Sequence, residues 1–342
     1  MFTLALLSVS GYRKTMSRVP TIKDVAAEAG VTVTTVSRYL NKRGYMSEKT
    51  GAKIERVMKE LGYVPNEIAR SLYRRKSNIL GVIIPTAVHP FFGELISSIE
   101  SRAYESGYKI LLCESRLDRT KEKDYVEMLT SHKVDGIVMA SHTLEVDEYR
   151  NLGMPVVTID RKIGDDIPYV TSDNYEGGSL AARFLLARGC KTIAYFGGNL
   201  GLDLLPNKRC EAFLAEVEKA GAKPILIQTD IDVFDFSQYS VLVDSLFREH
   251  PDADGVFASD LKAAHIIQAC GRLGRRVPED LKLVGYDDIL FASLMSPRLT
   301  TIRQPIEEMG RRAVELLVAQ IAGQAVPMAN VLPVSLVERG SA

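Results

Sequence analysis

A short segment near the start of the chain carries side chains suited to contacting the edges of nucleic-acid bases. It spans Thr32–Arg38 and reads TVTTVSR. At helical spacing Val36 faces inward, while Val33, Thr34 and Arg38 face outward. In the major groove of DNA an arginine can bind guanine through two hydrogen bonds, a threonine can donate or accept one, and a valine can contact a thymine methyl group. The pattern therefore indicates a helix that reads duplex DNA.

Short polar side chains around this segment have the chemistry to bind phosphate oxygens. Contacts of this kind hold a protein in register on the duplex without reading sequence. The residues that we predict in this role are Thr21, Thr35, Ser37 and Asn41, and Thr32 is also predicted to contact DNA. On the pattern alone, a small three-helix bundle unrelated to DNA fits equally well.

Three short helices would position these side chains. Hydrophobic spacing predicts them over Thr21–Ala29, Thr32–Asn41 and Ser47–Leu61. Thr21 and Ser47 are good N-cap residues for the first and third helices. The second helix would then be the recognition helix of a helix-turn-helix, braced by the first.

The charge distribution supports a polyanionic partner for this part of the chain. Residues 1–78 carry 15 Lys and Arg against 6 Asp and Glu, whereas the remaining residues carry 28 against 37. The net formal charge of zero therefore combines a basic segment with an acidic body. We expect DNA contact to be confined to the basic end.

From Ile79 onward, apolar runs of strand length alternate with amphipathic segments of helix length. Eight strands are predicted, the first at Ile79–Ile84 and the last at Leu281–Val284. Such alternation is typical of parallel sheets covered on both faces. Eight units are more than one open sheet usually needs, so we predict two doubly wound lobes with a ligand cleft at the carboxyl ends of the strands.

A sugar site in that cleft needs an aromatic face and groups that bind hydroxyls. His89 would lie near the cleft and is a weak candidate for this sugar site. Asp260 is interpreted as the cap of the helix that follows it, and Asp288 as a loop hydrogen-bonding group. The residues that we predict to bind an effector are Phe91, Phe92, Asp160, Arg161, Arg209, Ser259 and Asp287.

Two questions about these candidates stay open on sequence grounds. Phe91 and Phe92 fit ordinary core positions as well as a sugar-stacking role. Arg161 and Arg209 suit a sugar phosphate as well as a neutral sugar, because guanidinium groups bind both phosphates and polar oxygens.

No constellation of catalytic residues is recognisable, and we predict no enzyme activity, no cofactor and no metal. The sequence has no G-x-S-x-G motif, no phosphate-binding Walker loop and no paired histidines at metal spacing. The four cysteines are widely separated, which fits core residues in a reducing compartment.

The N-terminus does not have the pattern of a secretion signal. The apolar run Phe2–Val9 is followed, not preceded, by the basic residues Arg13 and Lys14. We expect translation to start at Met16, or residues 1–18 to form a disordered extension. A cytoplasmic, nucleoid-associated location is predicted.

Several motifs resemble the lactose/galactose repressor family of transcriptional regulators. Thr21–Val31 and Thr35–Asn41 are similar to its headpiece, and so is Leu61–Asn66 with Ala69–Leu72. Val284–Asp288, Leu299–Pro305 and Leu332–Val337 are similar to the body of the family. The likeness covers residues 19–340, and Ser172–Gly178 looks most like sucrose-operon repressors of Gram-positive bacteria.

The resemblance implies a hinge helix over Asn66–Leu72 that orders on operator DNA. Asn66 and Ala69 would contact the DNA there, and Leu72 would insert into a central minor-groove step. Arg209 and Asp287 match positions that bind small effectors in the family. Ser259 stands where the lactose repressor has an asparagine, which argues against assuming the same ligand.

The predicted fold class is an all-α helix-turn-helix headpiece followed by a two-lobed α/β core that resembles periplasmic binding proteins, with two doubly wound parallel sheets. The predicted boundaries are 19–64 for the headpiece, 65–78 for the hinge and linker, 79–172 with 305–333 for one lobe, and 173–304 with 334–342 for the other.

The resemblance implies that the protein represses a carbohydrate operon. It would bind a near-palindromic operator as a homodimer. A sugar or sugar phosphate would bind between the lobes, and a sucrose-type effector is favoured. The chain shows no leucine-heptad tail that would make it tetrameric. Two alternatives are kept. One is a global regulator with a phosphocarrier protein as co-repressor, and the other is a sugar-binding transport receptor, which the basic headpiece disfavours. No membrane association is expected.

Overall fold

The computed structural model describes residues 19–65, 76–141, 152–198, 200–201, 204–228 and 236–342, excepting the side chains of residues 236–238. The chain divides into two units after Ser77. The predicted extension over residues 1–18 and the hinge positions Asn66, Ala69 and Leu72 lie outside the described residues, so their roles stay predictions.

Three helices form the described part of the first unit: α1 Ile22–Glu28, α2 Val33–Leu40 and α3 Glu48–Leu61. The predicted caps are confirmed. The backbone N–H and the hydroxyl of Thr21 both lie 2.7 Å from the Asp24 carboxylate, and Ser47 Oγ accepts a hydrogen bond from the Thr50 backbone N–H at 3.3 Å. These bonds satisfy groups that the ends of helices otherwise leave without partners.

A small hydrophobic core holds the three helices together. Val25 of α1, Val36 of α2 and Ile54 of α3 have no exposed surface. The turn between α1 and α2 places Gly30 at φ 60°, a conformation that glycine adopts without steric cost. The burial of Val36 fixes the rotation of α2, and therefore decides which of its residues face outward.

The second unit contains seven further α-helices and twelve strands among its described residues. The helices are α4 Pro90–Glu105, α5 Arg119–Ser131, α6 Asn174–Ala187, α7 Lys208–Lys219, α8 Phe236–Glu249, α9 Asp260–Leu273 and α10 Ile306–Ile321. The strands are β1 Ile79–Ile84, β2 Lys109–Glu114, β3 Gly136–Met139, β4 Val156–Ile159, β5 Tyr169–Ser172, β6 Thr192–Gly197, β7 Lys223–Gln228, β8 Gly255–Ala258, β9 Lys282–Asp287, β10 Thr300–Arg303, β11 Ala329–Leu332 and β12 Ser335–Val337.

The strands form two six-stranded sheets, as the sequence predicts. The first has the order β11-β5-β4-β3-β1-β2 and is parallel throughout. The second has the order β12-β10-β9-β8-β6-β7 and is parallel except for β12, which runs antiparallel to β10 at the edge. Each sheet and its helices make one lobe.

Four of the twelve strands were missing from the sequence prediction: β5, β10, β11 and β12. Each has only three or four residues and mixes polar with apolar side chains, as in the TTIR sequence of β10. Their pairing with neighbouring strands, not their own composition, makes them strands. These four edge and near-edge strands carry the chain from lobe to lobe.

Both sheets are covered on two faces. Along β1, Leu80, Val82 and Ile84 pack into one hydrophobic cluster with α4 and α10, while Ile83 packs into another with Val126 and Leu129 of α5. Alternate strand residues point to opposite faces, so a strand buried on both sides must be apolar throughout. Such strands are rigid supports, and the residues that follow their carboxyl ends are held in fixed positions.

Candidate functional site

The outer face of α2 is the candidate DNA-binding surface. Val33, Thr34 and Arg38 are all exposed, with 40% of the Val33 side chain accessible to solvent. An exposed valine beside a threonine and an arginine on one helix face has the composition of a base-reading surface. The predicted orientation of the helix is therefore confirmed, whereas the predicted contacts with bases stay predictions.

The candidate phosphate-binding residues also organise the headpiece itself. Thr32 Oγ1 accepts a hydrogen bond from the Thr35 backbone N–H at 3.2 Å, and the two threonine hydroxyls lie 2.9 Å apart. The side-chain amide of Asn41 donates to the Ser37 carbonyl oxygen at 2.9 Å, at the end of the helix. These contacts hold the ends of α2 in place, and Thr32 remains exposed.

The second unit contains a cavity of about 200 Å³ between its two lobes. Six of the seven predicted effector-binding residues line it. Arg161 is absent from the described part of this wall, and its backbone carbonyl accepts a hydrogen bond from Thr158 Oγ1 at 2.5 Å. The lining residues are His89, Phe91, Phe92, Ala140, Ile159, Asp160, Pro206, Arg209, Ser259, Asp287 and Gln304.

Aromatic side chains form one wall of the cavity. Phe91 and Phe92 begin α4, and their rings meet edge to face at a centroid distance of 5.1 Å. The His89 ring meets the Phe92 ring in the same way at 5.8 Å. Burial, together with the positive charge of Lys262, lowers the pKa of His89 to about 4, so the ring is neutral at neutral pH. Aromatic faces of this kind suit the C–H surface of a sugar ring.

Two carboxylates form the polar side of the cavity. Asp160 directly follows β4 and Asp287 ends β9, and both are buried. Their φ angles of 57° and 121° lie in a region that residues other than glycine rarely adopt. Strained backbone of this kind concentrates at binding sites, where surrounding structure maintains it.

Asp287 is held by hydrogen bonds that pass from one lobe to the other. The Gln304 side-chain amide donates to Asp287 Oδ1 at 2.6 Å, and Gln304 Oε1 accepts a hydrogen bond from Ser172 Oγ at 2.7 Å. Ser172 lies in β5 of the first lobe, whereas Asp287 lies in β9 of the second. A ligand that contacts Asp287 would therefore act on groups in both lobes.

Arg209 lies at the centre of the polar side. Its guanidinium carbon is 3.7 Å from the centroid of the Tyr286 ring, and its Nε donates to Asn174 Oδ1. Asn174 Nδ2 donates in turn to Thr171 Oγ1 at 2.9 Å, and Thr171 Oγ1 donates to Asp160 Oδ1 at 2.6 Å. This chain of contacts orients Arg209 and Asp160.

The electrostatics of the cavity follow from burial. Burial raises the pKa of both Asp160 and Asp287, and the positive charge of Arg209 opposes the rise at both residues. Buried carboxylates near a guanidinium are strong hydrogen-bond acceptors for hydroxyl groups. These acceptors, together with the Arg209 donor, suit a ligand that carries several hydroxyl groups.

Two of the sequence interpretations are wrong. Asp260 does not cap α9, because Ser259 occupies the N-cap position. The fully buried Asp260 carboxylate instead accepts hydrogen bonds from the Ile289 backbone N–H at 2.9 Å and from Thr301 Oγ1 at 2.6 Å. A buried carboxylate needs such partners.

Asp288 does more than bond its own loop. Its carboxylate is 6% exposed and forms ion pairs with Arg303 at 2.6 Å and with Arg339 at 2.7 Å. It thereby ties the loop after β9 to β10 and to the last residues of the chain.

Gln304 and Lys262 are polar residues of this region that the sequence prediction missed. Gln304 directly follows β10, so the rule that site residues follow strand ends would have found it if that strand had been recognised. Lys262 lies inside α9 and is only 8% exposed. Its position carried no sequence signal, because a lysine in an amphipathic helix is usually solvated.

Other classes of site are not evident in the part of the chain that the structure covers. No described helix is long and apolar enough to cross a membrane, and no described group of three His, Cys, Asp or Glu side chains is placed to hold a metal ion. All four cysteines are buried and free.

Comparison with known proteins identifies the family. The model for bacterial regulatory proteins of the lacI family matches residues 21–66, and that for a periplasmic binding protein-like domain matches residues 182–342. The ribose operon repressor of Halalkalibacterium halodurans is 38% identical over 302 residues, covering 88% of this chain and 90% of that protein. The chain belongs to the lacI family.

Further similarities agree with this assignment. The sucrose operon repressor of Streptococcus mutans is 37% identical over 321 residues, covering 92% of this chain and 97% of that protein. The lac repressor dimer bound to operator and the anti-inducer ONPF has a TM-score of 0.81 at 27% identity, covering 95% of this chain and 99% of that one. This lacI-family protein is thus a DNA-binding transcriptional repressor and not an enzyme, as predicted, and its fold class is confirmed.

Proposed function

We propose that this lacI-family protein represses a carbohydrate-utilisation operon and that a small sugar or sugar phosphate bound between the lobes controls its affinity for the operator. The observation that carries the proposal is the cavity itself, where two phenylalanines face two carboxylates and an arginine. Sucrose-type and ribose-type effectors are both candidates, because the relatives are repressors of sucrose and ribose operons.

The proposed mechanism is a coupling between two distinct sites. The Asp287–Gln304–Ser172 hydrogen bonds join the lobes, so a ligand that prefers one arrangement of these groups favours that arrangement. The segment from Asn66 to Leu72 is the proposed element that transmits the change to DNA. We propose that the protein acts as a homodimer on a near-palindromic operator in the bacterial cytoplasm, at the nucleoid.

The experiment starts from the DNA, because the operator sequence is unknown. Selection from random duplexes by the full chain should enrich one near-palindromic sequence. Binding to that sequence is then measured by fluorescence anisotropy with sucrose, fructose, ribose and their phosphates. Failure to enrich any duplex at about 150 mM salt would contradict operator binding, and an operator affinity unchanged by every sugar would contradict effector control.

Replacing Arg38 with alanine should relax the sequence preference of the protein. An arginine bound to guanine through two hydrogen bonds contributes about 1–3 kcal/mol of discrimination, which corresponds to roughly 5- to 150-fold in relative affinity. Anisotropy titrations with the selected operator and with single-base variants would measure the change. The matched control is Arg56→Ala, which removes the same charge from the exposed surface of α3. An unchanged preference in Arg38→Ala, or an equal loss in both variants, would show that Arg38 does not read a base.

Affinity for a neutral sugar should fall as the pH is lowered from about 7.5 to about 5.5. Burial raises the pKa of Asp287 to about 6, so this carboxylate becomes protonated in a range where exposed aspartates stay ionised, and burial also raises the pKa of Asp160. Each protonated oxygen then loses acceptor capacity for sugar hydroxyls. Calorimetric titration over this range would measure the fall. All five histidines lie after residue 78, so operator binding by the headpiece is the internal control. A flat profile would mean that neither carboxylate contacts the sugar.

A further inference from the structure

A second compartment of about 170 Å³ adjoins the cavity between the lobes. The two share Pro206, Arg209 and Ser259 in their walls, so they lie directly beside each other. The remaining wall of the second compartment belongs to the second lobe alone. It includes Phe196, Gly197 and Lys262.

The two compartments differ in charge. The cavity between the lobes contains Asp160 and Asp287 together with Arg209. Among the described residues that line the second compartment, the charged ones are Arg209 and Lys262, and both are cations. An anionic group would therefore meet two cations in the second compartment, whereas in the first it would meet two carboxylates beside Arg209.

Lys262 is built into the wall of this compartment. Its ammonium group donates a hydrogen bond to the Gly197 carbonyl oxygen at 3.1 Å. The same group lies 5.1 Å from the centroid of the Phe196 ring and 5.7 Å from that of the Tyr239 ring. These contacts hold the charge in one place, whereas an exposed lysine would lose side-chain entropy on binding a ligand.

The burial of the Lys262 ammonium group disfavours its charged form. Burial lowers the pKa of Lys262 to about 8, and the negative charge of Asp287 opposes the fall. A buried cation of this kind is stabilised by an anion that enters beside it, because the pair then shares the cost of desolvation. Lysine commonly binds phosphate in this way, as a point charge.

We propose that the second compartment is an anion subsite, in which Lys262 and Arg209 bind the phosphate group of a phosphorylated sugar. The sugar ring would lie between Phe91 and Phe92 on one side and Asp287 on the other. The inference rests on the proposed sugar-controlled function and specifies the class of effector. A disaccharide whose second, neutral ring fills the compartment is the competing occupant, and it would bring no negative charge to Lys262 and Arg209.

The test compares Lys262→Met with the wild-type chain. Methionine has a similar length and no charge, and a matched control is Lys208→Met, which removes an exposed lysine next to Arg209 that does not line the compartment. Both variants should melt close to wild type in phosphate-free buffer. If Lys262→Met does not fold, Lys262→Gln replaces it.

Inorganic phosphate is the first probe, because it tests the subsite without knowledge of the sugar. Millimolar phosphate should raise the melting temperature of the wild-type chain and of Lys208→Met, and should have little effect on Lys262→Met. Equal shifts in all three proteins, or no shift in any of them, would overturn the proposal.

Matched sugars are the second probe: fructose and fructose 6-phosphate, ribose and ribose 5-phosphate, sucrose and sucrose 6-phosphate. For at least one pair, calorimetry should show the phosphorylated sugar binding at least tenfold more tightly than the neutral one. Lys262→Met should abolish that preference and leave the affinity for the neutral sugar within about threefold. If in every pair the neutral sugar binds as tightly as its phosphate, and at least one neutral sugar changes operator affinity, the subsite is overturned and sugar control is supported. Phosphorylated sugars that bind through Lys262 without any change in operator affinity would support the subsite and contradict sugar control.

Discussion

Replacing Asp287 with alanine is expected to weaken effector binding by about 100-fold or more and to leave operator binding intact. The carboxylate is 5% exposed, lies at the end of β9 and faces the cavity. Hydrogen bonds to a buried charged group contribute about 1.5–3 kcal/mol each, so the loss of two bonds to sugar hydroxyls amounts to roughly 100-fold or more in affinity. The substitution also removes the acceptor of the Gln304 side-chain amide, whose Oε1 accepts the hydrogen bond from Ser172 of the first lobe.

Two measurements separate these effects. Calorimetry with the effector found in the sugar screen gives the affinity, and anisotropy with the selected operator gives DNA binding with and without that effector. The isosteric Asp287→Asn variant retains the shape of the side chain and should still bind the sugar much more weakly than wild type. The control is Asp244→Ala, which breaks a surface ion pair with Arg272 in the same lobe and should change neither affinity. A normal operator response to the effector in Asp287→Ala would remove this residue from the binding site.

The positions of Asp287 and its neighbours were predictable because of the topology of parallel sheets. Asp160, Ser259 and Asp287 each follow or end a strand that has an unmistakable apolar sequence. The carboxyl ends of such strands converge on one edge of each sheet. The outward face of α2 was predictable for a similar reason, since Val36 determines the rotation of the helix. In both cases a local pattern fixes the direction of a side chain.

Residues whose roles depend on long-range packing were not predictable. Asp260 resembles a helix cap in sequence, yet its two partners, Ile289 and Thr301, are 29 and 41 residues away along the chain. Gln304 follows a strand that forms only because its neighbours pair with it. Periodicity describes an element by itself, whereas these roles arise where distant elements meet.

Gly178 illustrates this limit, and it leads to the second large effect. The residue lies in α6, where its sequence suggests only a weak helix former. In the structure, a Cβ atom placed on Gly178 would lie 2.1 Å from the Arg209 carbonyl oxygen and 2.9 Å from the Arg209 carbonyl carbon. The absence of a side chain therefore allows α6 and α7 to pack backbone to backbone at the residue that carries the guanidinium group.

Replacing Gly178 with alanine should destabilise the core and weaken effector binding together. Backbone atoms cannot move aside as a flexible side chain can, so α7 must shift away from α6. Overpacking of this kind costs about 1–3 kcal/mol. For a domain of this size that range corresponds to a melting temperature lower by roughly 2–12 °C. The shift would also move Arg209 off the Tyr286 ring and away from Asn174, and we expect at least about a tenfold loss of effector affinity.

Gly271 provides the matched control, because it is also a helical glycine of the second lobe. A Cβ atom there would meet nothing within 4 Å, and the residue is exposed in α9. Gly271→Ala should leave effector affinity unchanged and stabilise the protein by up to about 1 kcal/mol, because alanine is the better helix former. Thermal unfolding measures the stability of the two variants, and calorimetry measures their affinity for the effector. If Gly178→Ala melted and bound effector like Gly271→Ala, the close approach of α6 and α7 would not be what positions Arg209. If it lost stability alone, the guanidinium group would be held by Tyr286 and Asn174 and not by the packing of the helices.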